Sequence, residues 1–262
     1  MAFFSNYPLI NYRFGNAEDP AIFENLSVYI DLIDQVQDDV SFYQIVDIFD
    51  GERPDTLSQK IYGTPDYYWQ FYLLNDNIRL QGWPLRYQDM LAAGRERYPN
   101  RVLTTDCTNN LGTPPKNYFI FFAEEFTVGK VIRGEASLST ARIIERNLDL
   151  LQLVVQPISG DIRQETIDVN FAEDDGLNTR SVKVLSNQIQ YDATHHFEDT
   201  DGNWVDVDPF VNNTSQNISG TIRKTYLERF EEENESLKSI RCFVPDVANQ
   251  VNAEYQKLLR TR

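Results

Sequence analysis

The side chains with the most chemical potential lie late in the chain. His195, His196, Glu198, Asp199 and Asp201 stand close together. Imidazole and carboxylate are metal-ligand types, but zinc sites draw ligands at defined spacing from a rigid element, such as two histidines one turn apart on a helix. Neighbouring histidines on a strand are expected to point to opposite faces, so they do not readily share one ion. Asp199-Thr200-Asp201-Gly202, followed by Asp206 and Asp208, has part of the composition of a calcium loop. It lacks the full acidic order and the closing glutamate. Asp-Gly between two alternating runs predicts a hairpin turn there instead. The acidic groups at Asp38-Asp39, Glu124-Glu125, Asp174-Asp175 and Glu231–Glu233 read as solvated faces. With only 2 histidines, side by side, a nucleophilic triad would have to use that pair, and no nucleophile elbow accompanies it. No glycine-rich phosphate loop is present. The residues predict a protein that is not an enzyme, with no catalytic residue, cofactor or metal.

The composition agrees. A hydrophobic share of 41% with 13% aromatics can build a core across 262 residues, and disorder is not the expected class. The formal net charge of −16 repels phosphate backbones, so nucleic acid is not an expected partner. No apolar run is long enough to span a bilayer, so no membrane is expected. The N-terminus lacks the basic and apolar regions of a signal peptide. Cys107 and Cys242 are far apart and read as reduced thiols in a cytosolic product.

The densest pattern is Tyr43 to Ile78. Tyr43, Ile45 and Phe49 alternate onto one face of a strand. Asp50-Gly51 and Pro54 close it in a loop. Asp55 or Thr56 stands where an N-cap belongs, because a side-chain oxygen there can accept a free N–H of the first turn. Leu57 and Ile61 mark a short helix that Gly63 stops, since glycine tolerates the left-handed conformation after a last turn. Thr64-Pro65 restarts a second helix with proline at its first position. That helix carries Tyr67, Tyr68, Trp69, Phe71, Tyr72, Leu73 and Leu74, and Asn75-Asp76-Asn77 ends it. Its apolar surface runs most of the way round, whereas an ordinary surface helix has one stripe. The expectation is that Tyr67 to Leu74 exceed what so small a module shelters, so other polypeptides cover the remainder. Tyr67, Tyr68, Trp69, Phe71, Tyr72 and Trp83 are the candidate core or interface residues.

Asp55-Thr56-Leu57, Ile61-Tyr62-Gly63, Tyr68-Trp69 and Asn75-Asp76-Asn77, in the order strand, short helix, short helix, are similar to a LysM module with a shortened first helix. They resemble more specifically the LysM-like core of a baseplate wedge protein of contractile-tailed bacteriophages, the myoviruses, across residues 1–100 and part of the C-terminal region. The resemblance implies a virion protein, made and assembled in the host cytoplasm. It would be present in multiple copies in the tail baseplate and would clamp neighbouring wedges through contacts with other wedge and sheath-initiator proteins.

The rest of the chain is read around that core. Residues 1–40 form an aromatic, turn-rich N-terminal arm with Phe3, Phe4, Tyr7, Tyr12 and Phe14, and Ala21 to Asp34 fits helix and strand equally. Tyr87 to Tyr98 has helical spacing and Pro99 stops it. Arg101–Thr104 is the candidate second strand, pairing with the first and closing a core over 41–105. Residues 118–170 carry short apolar runs punctuated by glycine, beginning with a strand at Tyr118–Phe122, and predict a small antiparallel barrel-like insertion. Residues 181–262 predict a hairpin region, then a helix from Tyr226 to Leu237 and a strand with Ile240, Cys242 and Val244. A last helix follows, capped by Asp246, with Val247, Val251, Tyr255 and Leu258 on one face. The fold class is α+β. The expected function is a structural subunit of a baseplate wedge. The alternative is a glycan-binding LysM module that stacks N-acetylglucosamine polymers on the aromatic helix, with a groove near 52–57 and 75–83. Packing is favoured over stacking for those rings, so glycan is an unlikely partner.

Overall fold

A computed structural model describes residues 9–13, 21–24, 42–106, 115–169, 181–207 and 220–261. Expectations for Phe3, Phe4, Tyr7, Phe14, Asp38, Asp39, Cys107, Asp174, Asp175 and Asp208 lie outside them. The fold is mixed α+β. In chain order the elements are β1 (Leu9–Tyr12), β2 (Ala21–Glu24), β3 (Tyr43–Asp47), α1 (Pro54–Tyr62), a 3-10 turn (Pro65–Tyr67), α2 (Trp69–Leu74), α3 (Asp76–Gln81) and α4 (Tyr87–Arg97). There follow β4 (Arg101–Thr105), α5 (Pro115–Glu125), β5 (Val131–Gly134), β6 (Thr140–Asn147), β7 (Gln152–Ser159), β8 (Thr166–Asp168) and β9 (Ser181–Ile189). The chain ends with β10 (Thr194–Glu198), β11 (Trp204–Val205), β12 (Ile222–Thr225), α6 (Tyr226–Ser236), β13 (Ser239–Phe243) and α7 (Pro245–Thr261). Two compact units result: Met1–Met90 with Glu232–Arg262, and Leu91–Glu231.

In the first unit β3 pairs antiparallel with β13, Ile240 opposite Val46 and Cys242 opposite Gln44. The expected partner, Arg101–Thr104, is not used; β4 joins the barrel instead. A pairing with β13 spans nearly the whole chain and leaves no local signal. The buried face of the β3 segment is also the other one: Ile48 is buried and Val46 packs on the core, whereas Ile45 and Phe49 are exposed. Helix α1 begins two or three residues earlier than expected. Pro54 takes the first helical place and Arg53 the N-cap, its N–H donating to Thr56 Oγ1 at 3.1 Å. Gly63 ends α1 at φ 73°, where a side chain would be strained, and its N–H reaches Gln59 O at 3.0 Å. Thr64 caps the 3-10 turn by accepting from Asp66 N–H. Asn75 both ends α2 and begins α3, a helix that the turn-like composition of Asn75-Asp76-Asn77 concealed. Helix α7 starts at Pro245, so Asp246 lies in its first turn and is not the cap. Tyr12 and Ala21 are the innermost pair of a β1–β2 ribbon. Ala21 to Glu24 therefore resolves as strand, antiparallel to Leu9–Tyr12.

The second unit is built on a closed antiparallel barrel with strand order β4-β7-β6-β5-β8-β9. The expected insertion of 118–170 is thus closed by strands on both sides of it, β4 and β9, which pair along Arg101–Thr105. Alternate side chains point inward, and Leu103, Ile132, Ile143, Leu153, Val155, Ile167, Val182 and Val184 fill the interior. Tyr118–Phe122 is not a strand; it lies in α5, which Pro115 opens. Phe122 of α5 and the following Phe126 stack at 5.3 Å between ring centres within the barrel core. A run of aromatics has no period of its own at this length, so strand and helix read alike. A three-stranded sheet, β11-β10-β12, completes the unit.

Candidate functional site

The aromatic segment of the first unit packs in part within its own chain. Trp69, Phe71, Leu73 and Leu74 are buried, and Tyr67, Tyr68, Tyr72 and Trp83 are half-buried. Two cores share α2. On one side Trp69, Leu73 and Leu74 pack with Phe243, Ala248, Val251 and Tyr255, the indole lying 4.7 Å from the Tyr255 ring. On the other, Phe71 packs with Ile48, Leu57, Ile78, Leu237, Ile240 and Cys242. Burial of each large side chain stabilises the unit by roughly 2–3 kcal/mol. Two polar tips are engaged within the chain: Tyr67 Oη donates to Asn249 Oδ1 at 3.0 Å and Trp83 Nε1 to Glu52 O at 2.7 Å. Own-chain packing thus covers Trp69, Phe71, Leu73 and Leu74, while Tyr67, Tyr68 and Tyr72 keep part of their surface exposed. Residues 237–255 supply the second cover, and a module read from residues 41–105 alone lacked it.

The Trp83 ring lies against Phe71 and Tyr72 at about 6 Å, and its N–H is already engaged. Cys242 is buried, and its thiol is pushed up to about 12 by desolvation, which makes it inert at neutral pH.

In the second unit the histidines behave differently from expectation. A register shift between Thr194 and His196 bulges β10, and a bulge re-aims side chains. The Nδ1 atoms of His195 and His196 approach to 2.9 Å, where a strict alternation would have separated them. His196 stacks on Trp204 at 4.2 Å, and its Nε2 is 3.0 Å from Glu198 Oε1. Lys224 Nζ reaches Glu198 Oε2 at 3.4 Å. Burial works to raise the Glu198 pKa, but the hydrogen bond from His196 and the charge of Lys224 outweigh it and hold the carboxyl below the ordinary range. No set of three or more metal-ligand side chains converges among the described residues. Asp199 is a turn residue: Oδ1 accepts N–H bonds from Asp201 and Asn203 at 2.9 Å each, and the expected hairpin joins β10 to β11. Glu124 is exposed, and Glu125 pairs with Lys130 at 3.8 Å.

Exposed large apolar side chains include Leu9, Ile10, Tyr12, Ile22 and Phe23 on the β1–β2 ribbon, Ile45 and Phe49 in and just after β3, Leu80 in α3 and Trp204 in β11. The aromatic composition of the arm signals the first group, and nothing local marked the others. No known protein family matches the chain, and no curated protein matches it in sequence.

Proposed function

We propose that the chain is a non-enzymatic assembly subunit, a LysM-like wedge component of a contractile-tail baseplate that joins neighbouring wedges through protein–protein contacts. The single observation that carries the assembly role is the ribbon. Ile10 pairs with Phe23 on one face, and Asn11 pairs with Ile22 on the other. Leu9 and Ile22 remain 67% and 66% exposed. A two-stranded ribbon with exposed apolar side chains on both faces, in no core cluster of the described residues, is marginal in water. Covering it with another subunit stabilises both. The baseplate assignment rests on the motif resemblance around Leu57, Gly63, Tyr68-Trp69 and Asn75. The arrangement of α1 and α2 against a two-stranded sheet is compatible with it. The glycan reading has less support, because the rings it needs are packed within the chain.

The test is incorporation. Purified contractile tails analysed by mass spectrometry are expected to contain this chain, and chains with Ile10→Lys and Phe23→Lys are expected to fold yet to be lost from the particles. Particles that lack the chain, or that take up the doubly substituted chain at the normal level, would reject the proposal.

A further inference from the structure

The bulge in β10 brings two imidazoles into direct contact where a regular strand would part them. The Nδ1 atoms of His195 and His196 lie 2.9 Å apart, so a single hydrogen fills the gap between them. The other nitrogen of His196 fixes which hydrogens are present. Glu198 is held in its ionised form at neutral pH and can only accept, so His196 Nε2 donates to its Oε1 at 3.0 Å. With His196 neutral, its Nδ1 is an acceptor, and His195 Nδ1–H donates to it. With one added proton on the pair, an N–H···N bond still fits, because either ring can be the donor. A second added proton puts an N–H on both Nδ1 atoms. Two hydrogens then face each other in a gap sized for one, and the contact breaks.

The surroundings set what breaking the contact releases. His196 and Glu198 are 7% and 8% exposed, so water does little to screen an added charge. His196 stacks on Trp204 of β11 at 4.2 Å. His195 stands edge-on to Trp204 at 5.6 Å and to Tyr226 of α6 at 4.8 Å. Tyr226 packs with Val102 of β4, Val154 of β7 and Ala193, and so ties the sheet to the barrel within one compact unit. Cations approach from two elements. β12 contributes Lys224, 3.4 Å from Glu198 Oε2, and Arg223, 3.4 Å from Thr194 Oγ1. α6 contributes Arg229, 5.8 Å from the Trp204 ring. Against them stand Glu198 itself and Glu145 of β6, whose charge acts on Tyr226. Burial, then Glu145, keeps the Tyr226 phenol neutral, so it supplies no anion. We propose that the His195–His196 contact is an acid-released latch between the β10–β11–β12 sheet and the barrel. It is closed while the pair holds no more than one added proton, and it opens when the pair takes up the second.

Nitrogen NMR of the full chain, isotope-labelled at histidine, tests it from about pH 8 down to about pH 4.5, above the midpoints of ordinary carboxylates. Each ring nitrogen reports its own hydrogen. At the alkaline end His196 is expected to carry its hydrogen on Nε2 and His195 on Nδ1. Proton uptake is expected in two steps at least about one pH unit apart, because the pair titrates as a unit. Amide exchange at Phe197 and Glu198, measured relative to barrel amides, is expected to quicken about tenfold through the second step and not the first. His195→Asn sets a side chain there that donates or accepts at any pH, and is expected to abolish that acid response. The wild-type measurement stands even if the variant folds poorly. Independent titration of the two rings in a single step, a second proton not taken up before the chain unfolds, exchange that ignores the second step, or an unchanged acid response in a folded His195→Asn chain would overturn the proposal.

Discussion

The side chain of Asn75 holds the backbone of Arg241 from both sides. Its Oδ1 accepts the Arg241 N–H at 2.8 Å, and its Nδ2 donates to the Arg241 carbonyl at 2.8 Å, with a further bond to Phe71 O at 2.8 Å. One amide thus closes the free edge of β13 and ends α2. Asn234 does the same for Leu85, accepting its N–H at 2.7 Å and donating to its carbonyl at 3.0 Å.

Asn75→Ala is expected to destabilise the first unit by about 2–3 kcal/mol, because buried backbone groups lose their partners. Asn75→Asp should be worse at neutral pH, since a carboxylate then faces two carbonyl oxygens. Acidification, which protonates that carboxylate, should restore part of the loss. Urea unfolding of the three proteins at two pH values measures this.

The α2–α7 contact gives a second expectation. Tyr255 is almost fully buried against Trp69. Tyr255→Ala should cost about 3–5 kcal/mol by opening a cavity. Truncation before Pro245 should uncover Trp69, Leu73 and Phe243 and make the protein bind a hydrophobic dye. A truncated chain with native stability would contradict the two-sided packing of α2.

In the barrel, Glu165 closes the 135–137 turn. Its carboxylate accepts from Ala136 N–H at 2.7 Å, Ser137 N–H at 2.8 Å and Arg163 N–H at 3.0 Å. Burial works to raise its pKa, but the Ser137, Arg163 and Ala136 hydrogen bonds outweigh it, and the folded value lies below the unfolded one. The stability it contributes is therefore fully present above the ordinary carboxylate range and is lost as pH falls through the folded value. Glu165→Gln should lower stability by about 1–2 kcal/mol at neutral pH and by progressively less in acid. Thermal melts across that range are the check.

The sequence carried much of this fold wherever its signals were local. Gly63, the Asp-Gly turn at 201–202 and the period of α7 each act within a few residues and were legible, whereas Pro65, read as the start of the aromatic helix, opens a 3-10 turn and the helix begins at Trp69. The barrel was legible as spaced strands punctuated by glycine, but not its closure, because β4 and β9 are separated in sequence by the strands they enclose. The cover of α2 was illegible for the same reason. Phe243, Val251 and Tyr255 reach Trp69 from the far end of the chain, and an all-round apolar helix looks alike whether its own chain or another covers it. The bulge at His195-His196 defeated simple alternation, and the aromatic run at 118–122 defeated periodicity. For the candidate core or interface residues, what the chain order could not show is which of their neighbours come from its far end. Trp69 and Phe71 of α2 are interior, and the exposed apolar groups are spread over several elements, among them the β1–β2 ribbon, Ile45 of β3 and Leu80 of α3.

The most direct test of the assembly role places a photo-activatable residue at Phe23 on the ribbon and activates it within intact contractile tails. The account predicts an efficient cross-link to a different tail subunit, and none in the free chain. Activation that yields only uncross-linked chain in assembled particles, with the probe still exposed to solvent, would contradict it.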